Sequence, residues 1–331
     1  MSILKRFRIT VNRNFKDLPF PAFLDSEYFD EFDNNINKLI DLLGVNDISY
    51  IDMSDLTELE KKALLEEEYI NKEMLEHKLA KIIFIDSSTR ILVNGEDHIS
   101  VVCEDCGCDI SALFEKAMNI EKLLDENFVF EFHEKYGYLT SNIEKCGSGI
   151  YPSAKLHLPV LSLAKELKSL LNGTSKCGVN ISISSDNLLN PSDILEFYPN
   201  NSLGEKEDYS IKLLITVIRE FEKFETELRN QYFENNKEKL VKIINNAASG
   251  LLNEPSMDEN SMKYFFSKLF LGLELGILKT NDNILNNYDY IEVLDGFSDS
   301  HLELEKGREL SVDEKNNLRA YKIREFLEGV L

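Results

Sequence analysis

The chain has 331 residues, of which 43% are hydrophobic and 29% are charged. A chain of this size and composition can bury a sizeable core, which excludes global disorder and predicts one large domain with a smaller one. The 59 acidic side chains outnumber the 37 basic ones, and the net charge of −22 disfavours nucleic acid and anionic membranes as partners. We expect a cytoplasmic protein, because no apolar run is long enough to span a membrane and the N-terminal stretch lacks the apolar core of a signal peptide.

The N-terminal part of the chain is predicted to combine strands and helices. Alternating apolar residues predict a strand over 7–14. Apolar side chains spaced by three and four predict helices over 26–46 and 110–125, and a segment dense in Glu and Lys predicts another over 56–80. Between the last two helices, three successive strands are predicted in KIIFID, TRILVN and HISVVCE.

The rest of the chain divides into a mixed part and a helical part. A helix is predicted from Pro159 to about 171 and one or two long helices over 206–245, with strands in FVFEFHEKYGYLT, SAKLHLP, GVNISISS and DILEFYP. The polar, Gly- and Pro-bearing residues from about 245 to 257 predict a linker. We therefore predict a mixed α+β domain over 1–244 and a helical C-terminal domain over 257–331.

Five cysteines occur, and an odd number without a signal peptide predicts reduced thiols. Cys103, Cys106 and Cys108 lie together in CEDCGC. A structural zinc site normally has four ligands, so Cys146 or a histidine would have to complete this one. The pattern favours ordinary buried or loop cysteines, and no metal site is predicted.

The stretch ILVNGEDHISVV places two carboxylates and an imidazole between two apolar, strand-like runs. One interpretation is a polar hairpin turn, since Asp commonly accepts hydrogen bonds from its own turn. The other is an active-site loop, in which Glu96, Asp97 and His98 are available for proton transfer or for binding a cation.

Five stretches and the tail resemble one known family in the same order along the chain. The five stretches are RNFKDLPFP (13–21), NGEDH (94–98), YGYLT with CGSGI (136–150), KLHLP (155–159) and NNSLGEKED (200–208). They resemble the ATP:guanidino phosphotransferase, or phosphagen kinase, family, and the bacterial protein-arginine kinases are the branch they resemble most. GRELSVDEKNNLRAYKIREFL (307–327) is similar to the helical C-terminal region of that branch, which creatine-type kinases lack.

This resemblance implies a fold, a reaction and partners. The fold is the guanidino kinase catalytic fold, a curved and mostly antiparallel sheet flanked by helices, followed by a helical C-terminal domain. The reaction is transfer of the γ-phosphoryl group of ATP, with Mg²⁺, to an arginine guanidinium in a protein. The implied partners are protein substrates, a zinc-finger activator, a Clp-type unfoldase and a second copy of the chain in a homodimer.

Such a reaction needs carboxylates that align the guanidinium and accept its proton. By resemblance, Glu96 matches the family's catalytic glutamate, while Gly95 stands where the family has a first acid. Asp186 falls where protein-arginine kinases have a second glutamate that clamps the guanidinium. The alternative for Glu96 is a solvated turn acid, and for Asp186 an ordinary loop residue. Asp97 and His98 also match the motif and could equally be turn-capping groups.

The reaction also needs a basic cradle for the phosphates. By resemblance, Arg8 matches the first arginine of this cradle. Thr10, Ser100, Tyr151 and Ile181 stand where the family has four further arginines. A charge-assisted hydrogen bond contributes roughly 1.5–3 kcal/mol, so four lost arginines would weaken triphosphate binding by about four orders of magnitude if the losses add.

Two further groups could replace part of this cradle. Lys155 has the same strand parity as Tyr151 and could reach the same side of the sheet. Ser148 lies in a Gly-Ser-Gly turn whose backbone N–H groups could bind an anion, although the alternative is a tight turn between strands. Arg6 and Arg13 lie near the first strand.

The retained acids and missing arginines predict a pseudokinase or a regulator that binds arginine side chains. The alternative is an active protein-arginine kinase with a rebuilt phosphate site, in which Lys155, Arg6 and Arg13 converge beside Arg8. A non-enzymatic interaction protein would use its acidic face and C-terminal helices and would have no pocket near Glu96.

Overall fold

The structure, a computed structural model, describes residues 2–44, 49–106, 109–164, 173–182, 191–200, 208–278 and 289–328. Asp186 and the end of the helix predicted from Pro159 lie outside the described residues. The described strands are β1 (Leu4–Arg13), β2 (Ser49–Asp52), β3 (Lys81–Asp86), β4 (Thr89–Val93), β5 (Ile99–Asp105), β6 (Phe132–His133), β7 (Gly137–Tyr138), β8 (Ile150–His157), β9 (Val179–Ser182) and β10 (Ile194–Pro199).

Eight of these strands form one sheet in the order β2-β3-β4-β5-β1-β8-β10-β9, and each neighbouring pair is antiparallel. β6 and β7 form a separate two-stranded ribbon. The described helices are α1 (Phe29–Leu43), α2 (Glu58–Glu66), α3 (Ile110–Asn127), α4 (Pro159–Ala164), α5 (Tyr209–Asn253), α6 (Glu259–Glu274), α7 (Tyr290–Asp295), α8 (Asp299–Lys306) and α9 (Val312–Glu328). The predicted α+β fold, a mostly antiparallel sheet flanked by helices, is confirmed.

Two helix predictions need correction. The helix predicted over 56–80 ends at Glu66, because Glu68 has a left-handed backbone (φ 59°) and the Asn71 side chain caps a 3₁₀ turn at Lys72–Leu75. The segment 245–253, predicted as linker, is the end of α5, since Ala247 and Leu251 are buried there. The connection between α5 and α6 is therefore only 254–258.

The alternation of side chains along the central strands gives the sheet two different faces. On one face Phe7, Ile9 and Val11 of β1 belong to the main hydrophobic core, which also includes residues of α1, α3 and α5. On the other face Arg8 of β1 lies opposite Glu104 of β5, and Asn12 opposite Ser100. Charged and polar groups therefore lie in the middle of the sheet, on the face turned away from the main core.

The C-terminal helices form a second core and contact both the sheet and α2. This core contains buried residues of α5, α6, α7 and α9, including Phe266, Phe270 and Ile323. At the sheet, the ammonium group of buried Lys268 is bound to the carboxylate of buried Asp193. α8 packs against α2. Among the described residues, no helix combines the length and the apolar composition needed to cross a bilayer.

Candidate functional site

The NGEDH stretch is the hairpin that joins β4 to β5. The Asn94 N–H donates to the His98 carbonyl over 3.0 Å and the Gly95 N–H to the Asp97 carbonyl over 3.2 Å. Gly95, at the position of the family's first acid, leaves room for a neighbour, because a Cβ there would lie 2.5 Å from Nδ2 of Asn71. An acid at position 95 would require Asn71 to move away.

Asp97 and His98 anchor this hairpin to the segment after β1. The Asp97 carboxylate accepts from Nδ2 of Asn14 and from the Ser141 N–H, both at 2.7 Å. Nδ1 of His98 accepts from the Phe15 N–H over 3.1 Å, and Nε2 donates to the Pro19 carbonyl over 2.9 Å. Burial lowers the pKa of His98 to about 4. The imidazole is therefore a neutral structural group with both nitrogens bonded, rather than a proton-transfer group.

Glu96, which directly precedes Asp97, lines a cavity of about 300 Å³ on the polar face of the sheet. Its carboxylate is bound to the ammonium group of Lys145, which is the last residue of the 3₁₀ turn Ile143–Lys145. Lys145 also lies 5.4 Å from the centroid of the Tyr151 ring. The carboxylate that matches the catalytic acid thus already binds a cation of this chain.

Arg8 and Arg90 line the same cavity and share one carboxylate. Glu104 accepts from Nε of Arg8 over 2.8 Å and from Nη1 of Arg90 over 2.6 Å. Although burial would raise the pKa of Glu104, the two guanidinium charges outweigh it and lower the pKa to about 2. Sequence reasoning missed Arg90, although its register opposite Val102 puts it on the same face as Leu92 and Val102.

Glu68, in the turn after α2, forms ion pairs with Arg8 and Lys155, two of the residues predicted to bind phosphate. Its carboxylate lies 3.3 Å from Nη1 of Arg8 and accepts from Nζ of Lys155 over 2.5 Å. Burial would raise the pKa of Glu68, but Lys155 and Arg8 outweigh burial and lower it. Arg90 holds the turn itself, donating to the carbonyls of Glu68 (3.0 Å) and Tyr69 (3.2 Å).

Neutral side chains stand at the four positions where the resemblance predicts further cradle arginines. Thr10 and Ser100 line the cavity, and the Ser100 hydroxyl donates to Oδ1 of Asn12 over 2.8 Å. The Tyr151 hydroxyl donates to the Pro199 carbonyl over 3.4 Å. Ile181 packs against the main hydrophobic core. These four side chains add no positive charge to the cavity.

The Gly-Ser-Gly turn lies apart from this cluster. The Ser148 carbonyl accepts from Nη1 of Arg13 over 3.0 Å, and Ser148 lines neither described cavity. Arg13 is bound to Glu121 at 2.5 Å and lies 3.5 Å from the centroid of the Tyr138 ring. Arg13 therefore does not converge with Arg8. A role for Ser148 in anion binding stays a prediction.

A second cavity of about 190 Å³ lies between the sheet and the C-terminal helices. Lys155, Glu68 and Asp295 are among the residues that line it. Burial raises the pKa of Asp295 to about 7, even though Arg6 and Lys155 act in the opposite direction. The predicted cofactor residues Arg8 and Lys155 therefore line neighbouring cavities, with Glu68 in both.

The clustered cysteines are separated in the structure. Cys103 is buried and Cys106 is exposed, while Cys108 lies outside the described residues. Burial raises the pKa of the Cys103 thiol to about 11. Within the part of the chain that the structure describes, no three His, Cys, Asp or Glu side chains are grouped as metal ligands.

Comparison with known proteins identifies relatives of this arrangement. The family model for the ATP:guanido phosphotransferase C-terminal catalytic domain matches residues 31–228. The protein-arginine kinase of Caldanaerobacter subterraneus subsp. tengcongensis is 28% identical over 282 residues, which cover 83% of this chain and 83% of that protein. The protein-arginine kinase of Clostridium acetobutylicum is also 28% identical, over 333 residues that cover 97% of this chain and 94% of that protein.

Solved structures show the same fold at lower identity. A lombricine kinase crystal structure superposes with a TM-score of 0.57 at 18% identity, covering 69% of this chain and 67% of that one. The duplicated taurocyamine kinase from Schistosoma mansoni superposes with a TM-score of 0.62 at 16% identity, covering 76% of this chain and 39% of the duplicated one.

Proposed function

Because the chain belongs to the ATP:guanido phosphotransferase family, we propose that it is a protein-arginine-kinase-like pseudokinase that binds arginine side chains without phosphorylating them. One observation carries this proposal. The cations at the expected phosphate side, Arg8, Arg90 and Lys155, are already paired with the carboxylates of Glu68 and Glu104. The site keeps an acid for the guanidinium and has little free positive charge for ATP.

ATP with Mg²⁺ fits these residues poorly. A triphosphate needs several cations that are free to contact its oxygens. Here each contact would have to displace a carboxylate that lies 2.5–3.3 Å from the cation. Thr10 and Ser100, at two cradle positions in the cavity, offer no charge in return. We therefore derive no phosphoryl-transfer step for this chain.

An arginine side chain fits the cavity better than a phosphate does. Glu96 and Glu196 both line it, and two carboxylates can accept the parallel N–H groups of a planar guanidinium. Glu196 also attracts Arg8 electrostatically. Lys145 holds the position on Glu96 that the guanidinium would take, so the ligand replaces one cation with another. Asp186, which lies outside the described residues, is proposed as a further guanidinium-binding carboxylate from the family resemblance alone.

The partners follow from this activity and from the family resemblance. Arginine-bearing proteins are the proposed ligands, because the similar proteins are named protein-arginine kinases. A homodimer, a zinc-finger activator, a Clp-type unfoldase and a cytoplasmic location are further proposals that only the resemblance supports.

Calorimetric titration and a phosphorylation assay test this function together. A peptide with one arginine should bind the full chain, the same peptide with lysine should bind more weakly, and Glu96→Gln should remove the difference. MgATP should bind no more tightly than millimolar, with no phosphoarginine formed on a protein substrate. Micromolar MgATP binding together with phosphoarginine formation would overturn the pseudokinase proposal.

An active kinase with a rebuilt phosphate site is the second candidate. The observation that favours it is Arg90, a cation beside Arg8 that the sequence pattern did not predict. The cavity at Glu96 also argues against a purely structural interaction protein, for which no pocket was expected there. The phosphorylation assay separates the two candidates, and Arg90→Met should abolish transfer only if this second one is correct.

A further inference from the structure

Three consecutive glutamates at the end of α2 have different partners. The Glu66 carboxylate accepts from the Ser300 hydroxyl and from the Ser300 N–H (3.3 Å), both on α8. Oε1 of Glu67 lies 3.0 Å from Nε2 of His301, also on α8. The third, Glu68, binds Arg8 and Lys155 on the sheet. One short segment therefore connects the C-terminal helices to the cations of the candidate site.

α8 also contacts α2 at a residue other than these glutamates. Nζ of Lys62 donates to Oε2 of Glu303 over 2.8 Å. Glu303 is buried and also lies 3.4 Å from Lys315 of α9. Ser300 is fully buried. α2 is therefore attached to a packed part of the C-terminal unit rather than to a loose surface.

Three cations lie beneath Glu68 on neighbouring positions of the sheet. Arg6 and Arg8 are on the same face of β1, and Lys155 of β8 is paired with Arg6. The carboxylate of Glu68 bridges two of them, with one oxygen toward Arg8 and the other toward Lys155. Two oxygens shared between cations in this way resemble the contacts of a bound phosphoryl group.

We propose that Glu68 is an internal occupant of a latent oxyanion site formed by Arg6, Arg8 and Lys155, and that α8 keeps it there by holding Glu66 and Glu67. The site would take a phosphoryl oxyanion when α8 releases α2. This inference rests on the proposed function, because it explains why the phosphate side is closed. The Glu68 side chain is 40% exposed, so solvent and a competing anion can reach its carboxylate, but the anion enters only when Glu68 leaves Arg8 and Lys155.

Titration of the full chain with inorganic tripolyphosphate tests the occupant. Glu68→Gln keeps the shape of the side chain and removes its charge, so it should bind tripolyphosphate at least tenfold more tightly than the wild type. Glu58→Gln is the matched control, because it makes the same change at the first residue of α2, where the side chain is 90% exposed. Equal affinities for Glu68→Gln and the wild type would overturn the proposal, as would an equal gain in Glu58→Gln.

A double variant, Ser300→Ala with His301→Ala, tests the hold by α8. It removes the hydroxyl that donates to Glu66 and the imidazole that pairs with Glu67, keeps the N–H of residue 300, and leaves all three glutamates in place. We expect several-fold tighter tripolyphosphate binding and faster hydrogen exchange over 58–75 than in the wild type. Binding gained in Glu68→Gln but not in this variant would overturn the role of α8. Phosphoarginine formation by the wild type would instead overturn the proposed function, so the two failures are distinguishable.

Discussion

The ammonium group of Lys145 is bound to the carboxylate of Glu96, the residue that we predict by resemblance to match the family's catalytic acid. Both side chains are partly buried, with 21% and 26% of their surface exposed. Under the proposed function, a cation of the chain therefore occupies the place where an arginine of another protein would be aligned. An arginine that binds Glu96 must displace Lys145. The affinity for that arginine therefore depends on the strength of the Lys145–Glu96 ion pair.

Replacing Lys145 with Met should therefore strengthen arginine binding. Breaking a partly exposed ion pair changes the balance by about 1 kcal/mol, which corresponds to about fivefold in affinity. We expect Lys145→Met to bind a single-arginine peptide about fivefold more tightly, measured by fluorescence anisotropy. Lys122→Met is the control, since this lysine of α3 is 73% exposed and does not line the cavity at Glu96. Unchanged or weaker binding by Lys145→Met would show that Lys145 does not compete for Glu96.

Glu104 should be more important for stability than any exposed acid of the chain. It is 13% exposed and neutralises Arg8 and Arg90 together, so Glu104→Gln leaves two cations insufficiently paired. The expected loss is about 3 kcal/mol in the free energy of unfolding, measured by urea denaturation. Glu58→Gln, at a 90% exposed position, should change it by less than about 0.5 kcal/mol.

The lowered pKa of Glu104 predicts that the stability lost in Glu104→Gln depends on pH. Because its pKa in the folded protein, about 2, lies below the value of 4.5 for a free side chain, the stabilisation is complete above pH 4.5. It should be lost as the pH falls from 4.5 toward 2. The difference between the wild type and Glu104→Gln should shrink over that range, and a constant difference would contradict the ion pairs.

Side-chain periodicity predicted the sheet well and one helix poorly. The alternation in β1 reflects burial of one face against the main core, and the continuous apolar runs of β3, β4 and β5 reflect burial on both faces, so the patterns predict these strands. The composition of 56–80 favours helix throughout, but the chain leaves the helix after Glu66. Arg90 binds the carbonyls of Glu68 and Tyr69, and this tertiary contact between distant residues overrides local propensity.

Only some residues of the candidate site could be predicted from the sequence. Glu96, Arg8 and Lys155 were found by resemblance to a family and by strand parity. Glu68 and Lys145 were not, because each reaches the site from an irregular segment whose path no periodic pattern describes. Glu104 carried a usable signal, since it has the same parity as Ser100 and Val102 in β5 and lies opposite Arg8.

Asp295 should make the stability of the protein depend on pH near neutrality. Burial raises its pKa to about 7 from an ordinary value of 3.8, while Glu67 and Glu68 add to the shift and Arg6 and Lys155 oppose it. The folded protein therefore holds this proton more tightly than the unfolded chain. The resulting stabilisation is complete below pH 3.8 and is lost as the pH rises through about 7.

Asp295→Asn removes this titration. We expect the stability of the variant relative to the wild type to increase between pH 5 and pH 8, measured by urea denaturation at four pH values. Asp55→Asn, at an exposed position, is the control and should follow the wild type throughout. A relative stability of Asp295→Asn that does not change with pH would contradict a raised pKa.

Gly149 should tolerate no side chain, because two independent constraints act on it. Its backbone is left-handed (φ +69°), a conformation that costs other residues about 1–3 kcal/mol. An added Cβ would also lie 2.4 Å from Nη1 of Arg13 and 2.7 Å from the Asn12 carbonyl oxygen. Gly149→Ala should therefore lower the free energy of unfolding by at least about 2 kcal/mol in urea denaturation. Gly173→Ala is the matched control, because nothing lies within 4 Å of its Cβ position, and equal stability of the two variants would mean that Arg13 is not packed against this turn.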